Sequence, residues 1–69
     1  MNHRNATQHI LRALRAAQGT PWESRSATNI GAQECIAPDR VSRALWALKA
    51  AGLVEAERIG DGVFWRAAG

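Results

Sequence analysis

Residues 36–53, IAPDRVSRALWALKAAGL, constrain this chain more than any other stretch. Pro38 is tolerated in the first turn of a helix, where its missing N–H has no intrahelical partner to lose. Val41, Ala44, Leu45 and Leu48 recur at helical spacing and make one apolar stripe. Gly52 supplies the stop, so the spacing predicts a helix from Pro38 to about Ala51. Opposite the stripe lie Asp39, Ser42, Arg43 and Trp46, with Arg40 and Ala47 to one side. A thin apolar back can be held by a small core while a front of arginine, serine and tryptophan stays free to touch something else. The remaining segments have to supply that core.

They have little material for it. At 69 residues the chain is expected to form one domain, residues 1–69. A domain of this size buries only about 60% of the surface its unfolded chain exposes. The single cysteine, Cys35, excludes an internal disulfide. His3 and His9 stand at no metal-ligand spacing from Cys35 or from each other, so no metal and no other cofactor is expected. Stability must come from compact packing, self-association, or both. No apolar run approaches the ~18–20 residues of a membrane span. MNHRNATQ has no apolar core of a secretion signal. With a lone thiol, this points to the cytoplasm. The net charge of +3 fits a polyanionic partner without requiring one.

Read in order, residues 1–4 are polar and expected to fray. Asn5 and Gln8 resemble a capping box ahead of a first helix striped by Ile10, Leu11, Leu14 and Ala17 and stopped by Gly19. Trp22, in the short extended piece after it, reads as a core or edge plug. Ser24 and Ser26 both offer caps for a second helix ending near Glu34, with Ala27, Ile30 and Gly31 facing inward. Glu34 fits that stripe poorly and is expected at its margin. Gly31 weakens the helix by about 0.5–1 kcal/mol against Ala but permits close approach of a neighbour. Cys35-Ile36-Ala37 is the turn, with Cys35 read as a small buried residue. After the third helix, residues 55–59 and 63–66 read as strands around Gly60-Asp61-Gly62, a hairpin with Val63 and Trp65 facing inward.

The order helix, helix, three-residue turn, helix, hairpin, carried above all by IGAQECIAPDRVSRALWALKAAGLVEAERIGDGVFWR, resembles the winged helix-turn-helix family of DNA-binding proteins. The resemblance runs from about residue 7 to 67, and Trp65-Arg66 is similar to a late Trp-Arg pair in small bacterial, phage and plasmid regulators. It implies a mainly α fold with a small β-hairpin, a three-helix winged helix-turn-helix. Ile30, Ile36, Val41, Leu45, Leu48, Leu53 and Val54 would then fall in the core, with Gly52 as the stop of helix three. Two positions depart from the family pattern. Cys35 stands where Gly or another residue tolerant of the left-handed region is common, and Ala37 where Ser or Thr usually caps.

The resemblance implies double-stranded DNA as the partner and transcriptional regulation as the role. A B-DNA major groove, about 12 Å wide, admits one α-helix. Arg40 and Arg43 lie on the N-terminal, outward half of helix three, the part that reaches base edges in this motif. Arg43 has the fork for guanine O6 and N7, Asp39 an acceptor for cytosine N4, and Ser42 a hydroxyl for base or phosphate. Trp46 would meet a thymine methyl or the sugar-phosphate edge. Arg58 and Arg66 beside the hairpin, and Arg25 and Thr28 at the start of helix two, are expected on phosphates. A homodimer is expected. Two other readings stay open: a protein-interaction module anchored by Trp46, and an architectural factor in phage or plasmid replication or excision. No carboxylate pair, nucleophile–base arrangement or phosphate loop appears, and a chain this short has little room for a concavity of ~300 Å³ or more. An enzyme is not expected.

Overall fold

A computed structural model describes residues 4–68. The elements are α1 (Arg4–Ala16), β1 (Arg25–Ser26), α2 (Ala27–Glu34), α3 (Pro38–Ala50), β2 (Val54–Ile59) and β3 (Gly62–Ala67). The three helices and the hairpin are those the sequence predicts. The sheet has one strand more, in the antiparallel order β1-β3-β2. β1 pairs Arg25 with Trp65 and Ser26 with Phe64. Two residues are too few to carry an alternation, so no sequence pattern announces this strand.

One core joins all three helices to the hairpin. It contains Ile10 and Leu14 of α1, Ile30 of α2, Val41, Ala44, Leu45 and Leu48 of α3, Val54 of β2, and Trp65 and Ala67 of β3. Ile36, Ala56 and Val63 close its margin. The predicted stripe of α3 is thus the buried one, and Trp65 faces inward at 3% exposure. Leu53 does not join the core and is exposed. Its role is in the backbone: Leu53 N–H donates to Leu48 O at 2.9 Å and Gly52 N–H to Lys49 O at 2.9 Å, with Gly52 at φ +78°. These two bonds satisfy the last carbonyls of α3 in a Schellman stop.

The start of α1 lies earlier than predicted. The frayed segment expected at 1–4 falls on residues 1–3, outside the described residues, and on Arg4, which is already helical; Asn5 is within the helix and is not its cap. Ser26 is the cap of α2, its Oγ accepting from Asn29 N–H at 3.2 Å. Ala37, extended as a residue before proline must be, offers α3 no side-chain cap. Trp22 is corrected from plug to surface, at 69% exposure. Thr20 Oγ1 donates to Ala17 O at 2.6 Å and accepts from Trp22 N–H at 3.2 Å. The loop closes on itself and leaves the ring outside a core that is already filled.

The turn between α2 and α3 sets their angle. Cys35 adopts the left-handed region, φ 57° and ψ 44°, and Gly31 O accepts from both Cys35 N–H and Ile36 N–H. The family preference for glycine there is a backbone requirement that Cys35 meets under strain. The thiol is exposed rather than buried, because a residue just past a helix end projects away from the core. Cys35→Gly is therefore expected to raise stability by about 0.5–1 kcal/mol, the relief of the left-handed strain less the extra freedom of glycine when unfolded. Urea denaturation of the two proteins under reducing conditions checks this, and an unchanged or lowered midpoint would contradict it.

Candidate nucleic-acid interface

With Val41, Ala44, Leu45 and Leu48 buried, the 3.6-residue period sends Asp39, Arg43 and Trp46 along the opposite line of α3, and all three are exposed. Arg40 and Ala47, also exposed, flank this line on the side of α1. There Arg40, Arg43, Ala44 and Ala47 form an open groove of about 410 Å³ with Ala6 and Thr7 from the first turns of α1. The size expected for any concavity is thus exceeded, though the groove is shallow and open to solvent. Half-buried Ser42 and exposed Lys49 flank the line on the side of the sheet.

Trp46 is 55% exposed. Its ring meets that of Trp65 at right angles, centroids 5.0 Å apart. Lys49 Nζ stands 5.8 Å from the centre of the Trp46 ring, one turn along the helix. The sheet braces one edge of this side chain while about half of the residue remains exposed. The part played by Lys49 was missed, since a lone lysine on a helix reads as an ordinary solvated residue; its spacing of three from Trp46 was the available signal.

In a strand, alternate residues share a face. Arg58, opposite Val63, lies on the face that carries Trp65 and turns towards α3. Arg66 lies on the other face, directly opposite Glu55, and its Nε donates to Glu55 Oε1 at 3.1 Å. The structure therefore brings Arg58 to the face that turns towards α3 and puts Arg66 on the other face, exposed, with its charge countered by Glu55; Lys49 of α3 and Arg66 line one open pocket at the edge of β2. Glu57 joins Glu55 on that outer face.

Thr28 is exposed at the start of α2. Arg25 is not. It lies in β1 at 8% exposure, and its guanidinium donates to Gln33 Oε1 while Nε is buried without a hydrogen-bond partner among the described residues. The expectation that Arg25 reaches a phosphate is corrected: pairing with Trp65 turns its side chain beneath α2. Sequence reasoning missed this because an arginine outside a recognised strand has no predicted face.

Among the described residues, no group of three or more His, Cys, Asp or Glu is placed to hold a metal ion. None of their helices is long and apolar enough to cross a membrane.

No family model matches the chain, and no curated protein matches it. Solved structures do. The crystal structure of a possible transcriptional regulatory protein (fragment 1–100) from Mycobacterium bovis is 36% identical, with a TM-score of 0.76 over 93% of this chain and 62% of that one. The solution structure of a homodimeric winged helix-turn-helix DNA-binding domain from the same organism, described as a possible ArsR-family regulator, is 35% identical. Its TM-score is 0.75 over 94% of this chain and 55% of that one. A mutant of Lactococcus lactis ZitR in complex with DNA is 26% identical, with a TM-score of 0.72 over 91% of this chain and 41% of that one. The chain thus spans less than two thirds of the length of each.

Proposed function

We propose that this chain, which has a winged helix-turn-helix fold, binds double-stranded DNA sequence-specifically as a transcriptional regulator. In this reading α3 enters the major groove and the β2–β3 hairpin is the wing. Arg43, Asp39 and Ser42 face base edges, with Trp46 beside them. Arg40, Arg58 and Thr28 face phosphates. The protein works in the cytoplasm as a homodimer without a catalytic step. The observation that carries the reading is the outward line Asp39–Arg43–Trp46, raised above a core that holds only the opposite face of α3. The DNA complex of a similar structure and the homodimer of another support it.

A shift assay with a random-sequence duplex pool at two salt concentrations tests it. With about three to five cations per chain on phosphates, log affinity falls with log salt at about −0.9 per phosphate. Raising salt fourfold should weaken each chain's binding by about 40- to 500-fold. No binding at low salt would remove the DNA reading.

The same assay separates the arginines. Arg43→Ala should cost about 1–3 kcal/mol on a selected site and relax specificity there. Arg66→Ala, which removes a charge already paired with Glu55 on the outer sheet face, should change affinity less than about twofold. An equal loss from both, the same on every sequence, would move Arg43 to the backbone and put Arg66 back among the phosphate contacts.

A further inference from the structure

We infer that Trp46 is a specificity-determining residue that reads the C5-methyl group of thymine in the major groove; this rests on the DNA reading above. Trp46 is the only large apolar side chain on the outward line of α3, whose other members there are Asp39, Arg43 and Ala50. The edges of the four base pairs present donors and acceptors in the major groove, and the one apolar group among them is the thymine methyl.

The ring is also braced on two sides. Trp65 meets it edge to face at 5.0 Å, and Trp65 is itself 3% exposed and paired on both sides, with Arg25 in β1 and Ala56 in β2. Lys49 Nζ closes over Trp46 at 5.8 Å. A side chain braced in this way loses little rotamer freedom on binding, which is the usual cost of bringing a large residue to an interface. What remains open, 55% of the residue, is an apolar surface fixed in orientation.

The position also gives a register. Trp46 follows Arg43 by three residues, about 4.5 Å along the helix axis. Base pairs are stacked about 3.4 Å apart. A thymine read by Trp46 lies one or two base pairs from the guanine read by Arg43.

The test begins with a duplex selected by the wild-type protein from a random pool. Each thymine is then replaced in turn by deoxyuridine, which removes the methyl and nothing else. One thymine per half-site, within two base pairs of a selected guanine, should lose about three- to tenfold in affinity when replaced, the worth of about one to one and a half buried methyl groups. Trp46→Ala should bind the thymine and deoxyuridine duplexes alike at that position, and Trp46→Phe should keep part of the difference. Thermal melting of the variants shows whether they fold, and the uridine series on the wild type needs no variant. If the wild type binds normally and tolerates uridine everywhere, the inference falls while the DNA reading stands. A difference that survives Trp46→Ala assigns the methyl to another side chain and also overturns it. Absence of any selectable duplex removes the DNA reading and the inference together.

Discussion

Trp65→Ala is expected to lower the unfolding free energy by about 3–5 kcal/mol. Small domains have only about 5–15 kcal/mol in all, and this chain stands at the low end by size. The variant should therefore be largely unfolded at temperatures where the parent is folded. The reason is the number of elements the indole joins. It lies in β3 between β1 and β2, is buried with residues from all three helices, and carries the edge of Trp46. Near-ultraviolet circular dichroism and urea denaturation provide the measurement. Trp46→Phe, which changes a half-exposed ring, should shift the midpoint far less. A Trp65→Ala protein that unfolds within about 1 kcal/mol of the parent would mean that the hairpin is not part of the core.

Gly31→Ala is expected to destabilise, by about 1–3 kcal/mol, although helix propensity alone predicts a gain of about 0.5–1 kcal/mol. A Cβ at residue 31 would stand 2.8 Å from the backbone oxygen of Ile36 and 3.1 Å from Val41 Cγ2. The first neighbour is backbone and cannot rotate away, so the turn between α2 and α3 has to open. The change should also weaken DNA binding beyond its effect on stability, because α3 is aimed by that turn. Denaturation and the shift assay read the two effects separately. A stabilised Gly31→Ala protein would show that propensity outweighs the contact.

The parts of the fold written as periodicity were legible. Val41, Ala44, Leu45 and Leu48 define the buried face of α3 from their spacing alone, and Gly60-Asp61-Gly62 between β-prone runs gives the hairpin. The parts decided by partners distant in sequence were not. Arg25 is buried because Trp65 pairs with its backbone. Leu53 is exposed, and the part it plays, ending α3 through its backbone N–H, is one that an apolar pattern does not show. The geometry of the Cys35 turn was suggested by position, whereas the exposure of its thiol required the left-handed backbone to be seen. In the candidate interface, the outward line of α3 followed from the stripe behind it. The outer face of Arg66 followed from the alternation that turns Val63 and Trp65 inward, whereas the side taken by Arg58 depended on the register that sets it opposite Val63.

The pairing of Arg25 with Trp65 spans forty positions of the chain. This has a consequence for the order of events during synthesis. α1, α2 and α3 are made before β3 exists, and their stripes can form helices by local contacts within microseconds. Closure of the long loop between β1 and β3 has to wait for Trp65 to emerge, and such non-local closure is slow compared with helix formation. Until then Ile10, Leu14, Ile30 and Leu45 lack the indole that completes their core. A nascent chain halted before Trp65 would hold helices without a closed interior, and should be cut by protease at low concentrations that leave the chain containing β3 whole.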